Sequence, residues 1–180
     1  MVKAQYKAID GFLGIKFGST AAQVTEALKA KGGVINPRKT NDKELTFDNI
    51  TLAGRKAVAV FIKLVNNQAY EAQFVFKPEV ENKTIEYYNA LVADITGTYG
   101  TGKSLKNFKQ PYTDGDGYEI TALKAGSADY STVWNDSNNQ IIVAITTNTE
   151  GTLRVRLFYS DGKLDAISEN KQSEANKAEL

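Results

Sequence analysis

The chain has no cysteine and no histidine, three prolines, one methionine and one tryptophan, and no apolar run that approaches the roughly 20 residues of a membrane-spanning helix. Without cysteine there can be no disulfide, no thiolate nucleophile and no cysteine-ligated metal. Without histidine the usual general base near neutral pH and the commonest metal ligand are missing too. Charge of one sign is also lacking: 22 basic residues stand against 21 acidic ones, for a net charge of +1. The most basic stretch, Lys103 to Lys109, holds only Lys103, Lys106 and Lys109, so bulk attraction of a polyanion is not expected, and nucleic acid is not among the expected partners.

What is present is 180 residues, enough to bury a sizeable core without covalent staples. The body is rich in Asn, Thr and Tyr, a composition that suits an exported bacterial protein. The start MVKAQYK reads as a methionine placed on a mature chain. The expectation is therefore a periplasmic or secreted protein whose signal peptide has been removed, without a membrane span.

Hydrophobic periodicity organises the chain into two similar halves. In STAAQVTEALKAKGG, Thr20 and Gln23 have the spacing of a capping box, Val24, Ala27, Leu28 and Ala30 form an apolar stripe, and Gly32-Gly33 supplies a stop. LTFDNITLAG, KAVAVFIKLV and AYEAQFVFK then read as three strands, with Val58, Val60, Ile62 and Leu64 alternating and Asn66-Asn67 as a tight hairpin pair. The order repeats. Asn82 is placed to cap a helix with Ile85, Tyr88, Val92, Ile95 and Tyr99 on one face. ADYSTVWND, QIIVAITTN and TLRVRLFYS follow as strands, and YEITALKAG is a candidate seventh. The predicted fold class is α+β: a tandem repeat of a helix plus a three- to four-stranded antiparallel meander, the helices on one face of the sheet. Residues 11–80 form the first unit, 81–165 the second, and 166–180 a polar C-terminal tail.

GTYGTGKS, residues 97–104, matches the phosphate-binding pattern G-x-x-x-x-G-K-[ST], with Gly97, Gly102, Lys103 and Ser104 at the defining positions. That loop works only where a buried strand delivers it and a helix starts at the Lys-Ser, aiming free N–H groups at the anion. Here an apolar-faced helix precedes it and LKNFKQPYTDGDGYE, with Pro111, follows. Tyr99 is expected to end the helix and Gly100 to stop it, which makes the motif a decoy and nucleotide binding a minor alternative. No cofactor is expected.

Asp114 and Asp116 in TDGDGYE suggest hard-oxygen metal ligands, but the twelfth position of a calcium loop counted from Asp114 is Ala125, so they are weak candidates and the expectation is no metal. The same acids with Glu119 are what a carboxylate-dependent hydrolase would use, the enzyme alternative. Tyr87, Tyr112 and Tyr118 are further aromatic candidates. The row Arg154, Arg156 and Phe158 shares one strand face, as do Tyr130 and Trp134, and these five form the candidate binding surface, since Arg and large aromatics anchor protein contacts.

GFLGIKFGSTAAQVTEALKAKGG, FDNITLAG, LVADITGTYG, VWNDSNNQIIVAI and LRVRLFYSDGKL together resemble exported bacterial proteins of the beta-lactamase-inhibitor-protein-like architecture. These are tandem repeats of small α/β units, akin to the small lipoproteins of outer-membrane assembly. The resemblance covers most of residues 11–165 and is most marked at Phe17-Gly18-Ser19-Thr20. It implies a two-unit fold; the inhibitor's disulfides have no counterpart here, and no functional residue is carried over. The expectation is a noncatalytic binding protein of the bacterial cell envelope, its partner a protein or peptide.

Overall fold

The computed structural model describes residues 6–178; Met1–Gln5, where the expectation about the starting methionine rests, and Glu179–Leu180 lie outside the described residues. A short hairpin, β1 (Gly11–Phe12) and β2 (Ile15–Lys16), leads into α1 (Ala21–Ala30). The helix starts where the sequence places it: Thr20 is extended, its Oγ1 accepts from Gln23 N, and Gln23 Oε1 accepts from Thr20 N, so two otherwise free backbone donors are satisfied reciprocally. Val24 and Leu28 are fully buried, while Ala30 faces solvent.

The remaining elements, in chain order, are β3 (Val34–Ile35), β4 (Glu44–Asp48), the small hairpin β5 (Thr51–Leu52) and β6 (Arg55–Lys56), β7 (Ala59–Val65), β8 (Gln68–Phe76) and α2 (Thr84–Tyr99). They continue with β9 (Lys103–Phe108), α3 (Glu119–Lys124), β10 (Ala128–Asp136), β11 (Asn139–Thr147), β12 (Leu153–Asp161) and α4 (Gly162–Ala178). Eight strands make one antiparallel sheet in the order β3-β4-β7-β8-β12-β11-β10-β9. The two meanders join at β8–β12, where Leu157 lies opposite Phe74 and Tyr159 opposite Ala72. Asn66 and Asn67 both have positive φ, 51° and 61°, as a two-residue hairpin turn matched to strand twist requires.

The register puts one continuous apolar layer on one face. Phe47, Val60, Phe74, Leu157, Val143 and Thr132 follow one another across six strands, and α1, α2 and α3 cover them. Phe74 meets Tyr159 edge-on at 6.2 Å between ring centroids. The polar atoms in this layer are paired: Tyr88 OH and Thr132 Oγ1 are 2.6 Å apart, and Ser104 Oγ reaches the same hydroxyl at 3.0 Å.

Several sequence expectations need correction. The buried residues of α2 are Thr84, Tyr88, Leu91 and Ile95; Ile85, Val92 and Tyr99 flank the core half-buried. Asn82 does not cap α2 but lies in a 3-10 turn, Glu81–Lys83, and Thr84 Oγ1 instead donates to Glu81 O. LTFDNITLAG breaks at Asn49, whose φ is 61°, and Val58, outside the ladder, is half exposed. YEITALKAG contains no strand; Glu119–Lys124 is α3, with Ala122 and Leu123 buried. The C-terminal segment is the long helix α4, which returns across the end of the sheet face away from α1 and α2. A register slip between Lys63 and Leu64 takes Tyr70 out of the strand alternation, and Ser168 of α4 donates a hydrogen bond to Tyr70 OH at 3.1 Å.

Candidate binding surface

The second face of the sheet is laid out by the same registers. One row across the strands reads Phe61, Gln73, Phe158, Ile142, Val133, Lys103; the next reads Ala59, Val75, Arg156, Ala144, Ser131, Leu105. Arg154 lies opposite Thr146 in the row beyond. Except for the buried Val75, these residues are half-buried or exposed, so the face mixes apolar and cationic groups and remains open to solvent. It is bounded at one end by α4, whose Asp165 acts with Glu71 on Lys63: burial opposes the ammonium charge, yet the Glu71 carboxylate 2.9 Å away raises its pKa above the ordinary lysine value. At the β4 side the boundary is the 36–42 loop, where Lys39 O accepts from Thr46 Oγ1 and Asn36 Nδ2 donates to Asp48.

Arg154, Arg156 and Phe158 therefore project together onto this open face, beside Ile142 and Phe61. Neither arginine forms an ion pair among the described residues. Arg154 donates only to its neighbour Leu153 O, and its charge helps to lower the Glu81 pKa after the larger contributions of Lys124 and the Leu153 N–H. Arg156 Nε and Thr146 Oγ1 are enclosed and have no hydrogen-bond partner among the described residues. Tyr130 and Trp134, grouped with this row in the sequence reading, lie on the opposite side. They are 5 % and 3 % exposed, packed among core residues because strand alternation points them toward α2 and the 99–104 segment.

The GTYGTGKS segment has the reverse geometry of a phosphate-binding loop. A helix enters it and a strand leaves it: α2 ends at Tyr99, Gly100 has φ 86°, and Lys103 and Ser104 begin β9. Its glycines serve Trp134. The indole Nε1 donates to Gly100 O at 2.7 Å, and a Cβ on Gly102 would stand 2.6 Å from the Trp134 ring. Gly97 lies within α2, and Ser104 Oγ is held by Thr132.

The acids of the 113–119 turn do not converge on a shared centre. Asp114 pairs with Lys106, Asp116 accepts from the N–H groups of Thr113 and Tyr118, which lower its pKa, and Glu119 accepts from Gly115 N. Among the described residues no group of three or more potential metal ligands occurs. The S-x-x-K spacing of Ser-Lys acyl enzymes occurs at Ser160–Lys163 and Ser168–Lys171, but Ser168 bonds Tyr70 and Lys171 bonds Asn66. Tyr87 lies against Phe76 and beneath Arg55, Tyr112 is half-buried against the core, and Tyr118 is exposed.

No helix among the described residues is long and apolar enough to cross a membrane. No protein-family model matches the chain, and neither a curated protein nor a solved structure matches it significantly.

Proposed function

We propose that this chain is a noncatalytic binding protein of the bacterial cell envelope, periplasmic or secreted, that holds a protein or peptide on the open face of its sheet. One observation carries the reading: two arginines that form no ion pair among the described residues stand beside Phe158, Ile142 and Phe61 on a face whose centre no described helix covers. Guanidinium groups match carboxylates in a planar, two-point fashion, and aromatic side chains contribute buried area at small entropic cost. The enclosed Arg156 Nε and Thr146 Oγ1 are groups that an incoming chain can satisfy. The favoured partner thus presents carboxylates and apolar side chains together.

The sheet order, which runs helix, edge strand and meander inward from each side to the β8–β12 junction, supports a tandem repeat of two α/β units in the beta-lactamase-inhibitor-protein-like style. That architecture suits a receptor surface, because the joined sheet gives a broad face whose side chains vary independently of the core behind it.

The test is a photo-crosslinking amino acid at Phe158, irradiated in an envelope extract of the native host. A discrete partner is expected, lost when Arg154→Glu and Arg156→Glu are combined. An adduct that survives charge reversal, or none above background, would refute the surface.

A further inference from the structure

The two edges of the sheet end differently, and the difference identifies a second binding element. At one edge β3 is two residues long and the chain folds back over it. At the other, β9 offers six residues, Lys103 to Phe108, of which the first five are exposed. Lys109 N donates to Ser127 O at 2.8 Å in continuation of the β9–β10 register, so the odd-numbered residues form the hydrogen-bonded pairs with β10. The N–H and C=O groups of Ser104, Lys106 and Phe108 consequently point outward. Among the described residues no backbone bond outside β10 reaches β9. The segment that follows turns over the helix-covered face, where Lys106 pairs with Asp114 and lies 4.8 Å from the Tyr130 ring centroid, and leaves the outer edge clear.

We infer that the outer edge of β9 binds an extended acidic peptide segment by strand addition, a site separate from the arginine face. An edge with unpaired backbone groups is a template for another strand, and charge decides which strand. A second copy of this chain is the wrong occupant: antiparallel self-pairing centred on Lys106 sets Lys103 against Lys109 at both ends, so like charges oppose each other there. Lys103 and Lys109, which form no ion pair among the described residues, complement a strand carrying carboxylates at matching positions. Leu105 and Phe108 add apolar contacts, one on each face of the sheet.

The probe is a synthetic peptide of about nine residues alternating Glu with Val and Thr, long enough to span β9, with a Lys-for-Glu version as control. Titrated into labelled full-length protein, the acidic peptide is expected to shift and protect the amides of Ser104, Lys106 and Phe108 while leaving those of Lys103, Leu105 and Asn107 as they were. Ser104→Pro removes an outward N–H but none of the ladder to β10, and should weaken binding at least about tenfold. The double change Lys103→Glu and Lys109→Glu should do the same without touching the backbone, and decides the matter if the proline variant does not fold. Arg156→Glu should leave this binding unchanged, so failure here is distinct from failure of the arginine face. Absence of binding, equal binding of the lysine peptide, protection centred on β12, or concentration-dependent dimerisation through β9 would each overturn the inference.

Discussion

The two faces of the eight-stranded sheet are built from the same strands, yet they follow different rules. On the helix-covered face, residues such as Phe74, Leu157 and Val143 are wholly buried, and each hydroxyl at the Tyr88–Thr132–Ser104 cluster has a partner. On the open face, half-buried Phe158 and Ile142 stand next to two arginines that form no ion pair among the described residues. Period-two alternation makes the two faces chemically independent: a substitution on one leaves the packing of the other in place. Stability should therefore reside on the first face and recognition on the second.

The largest expected effect tests that division on adjacent residues of one strand. Leu157→Ala removes a fully buried side chain between Phe74 and Val143 and should cost about 2–5 kcal/mol. Phe158→Ala, one residue on, should cost no more than about 1 kcal/mol despite deleting a larger side chain. Urea unfolding of both variants is the measurement. Equal losses would mean that the open face is closed by something in the native fold and would end the assignment of recognition to it.

A smaller effect is expected inside the GTYGTGKS segment, where two glycines have opposite roles. Gly102→Ala would push a methyl group into the Trp134 ring and Thr132, an overpacking cost of about 1–3 kcal/mol. Gly97→Ala meets nothing within 4 Å in the last turn of α2 and should stabilise by about 0.5–1 kcal/mol. Neither melting temperature should respond to magnesium-ATP. A nucleotide-dependent rise abolished by Lys103→Ala would reverse the assignment of Gly102 to Trp134.

The helix-covered face was the more legible of the two in the sequence. The Thr20–Gln23 box, the Asn66-Asn67 turn and the strand TLRVRLFYS are local signals, and each marks a feature the structure contains. Leu91 and Thr84 fall outside the apolar stripe of α2 because that spacing runs through Ile85 and Val92, one position around the helix from the residues the sheet contacts. β9 carries no alternation, since an edge strand exposed on both sides has no reason to be apolar on either. ITAL in α3 looks like a strand because Ile120 and Thr121 are both β-branched, and six residues are too few for helical periodicity to show. α4 is polar almost throughout, so its docking shows only in tertiary contacts such as Ser168 with Tyr70, at a bulge, and Lys171 with Asn66. Of the candidate surface, Arg154, Arg156 and Phe158 could be grouped from spacing alone; separating them from Trp134 required knowing which face each strand turns toward α2.

The effect that vanishes at neutral pH contrasts the faces through ionisation. Tyr87, Tyr88, Tyr99, Tyr130 and Tyr159, five of the nine tyrosines, pack on the helix-covered side, and burial raises the pKa of each above its ordinary value, most strongly at Tyr159. The folded state then holds protons that the unfolded chain releases near about pH 10. Stability from these groups is complete below that pH and falls as pH rises toward the higher folded values, because the unfolded chain now binds fewer protons. Tyrosinate absorbance should therefore rise in two stages, the buried set ionising cooperatively with loss of the fold and a falling urea midpoint. A single gradual titration with the midpoint unchanged would show that water reaches these rings, and that the helix-covered face is no more closed than the open one.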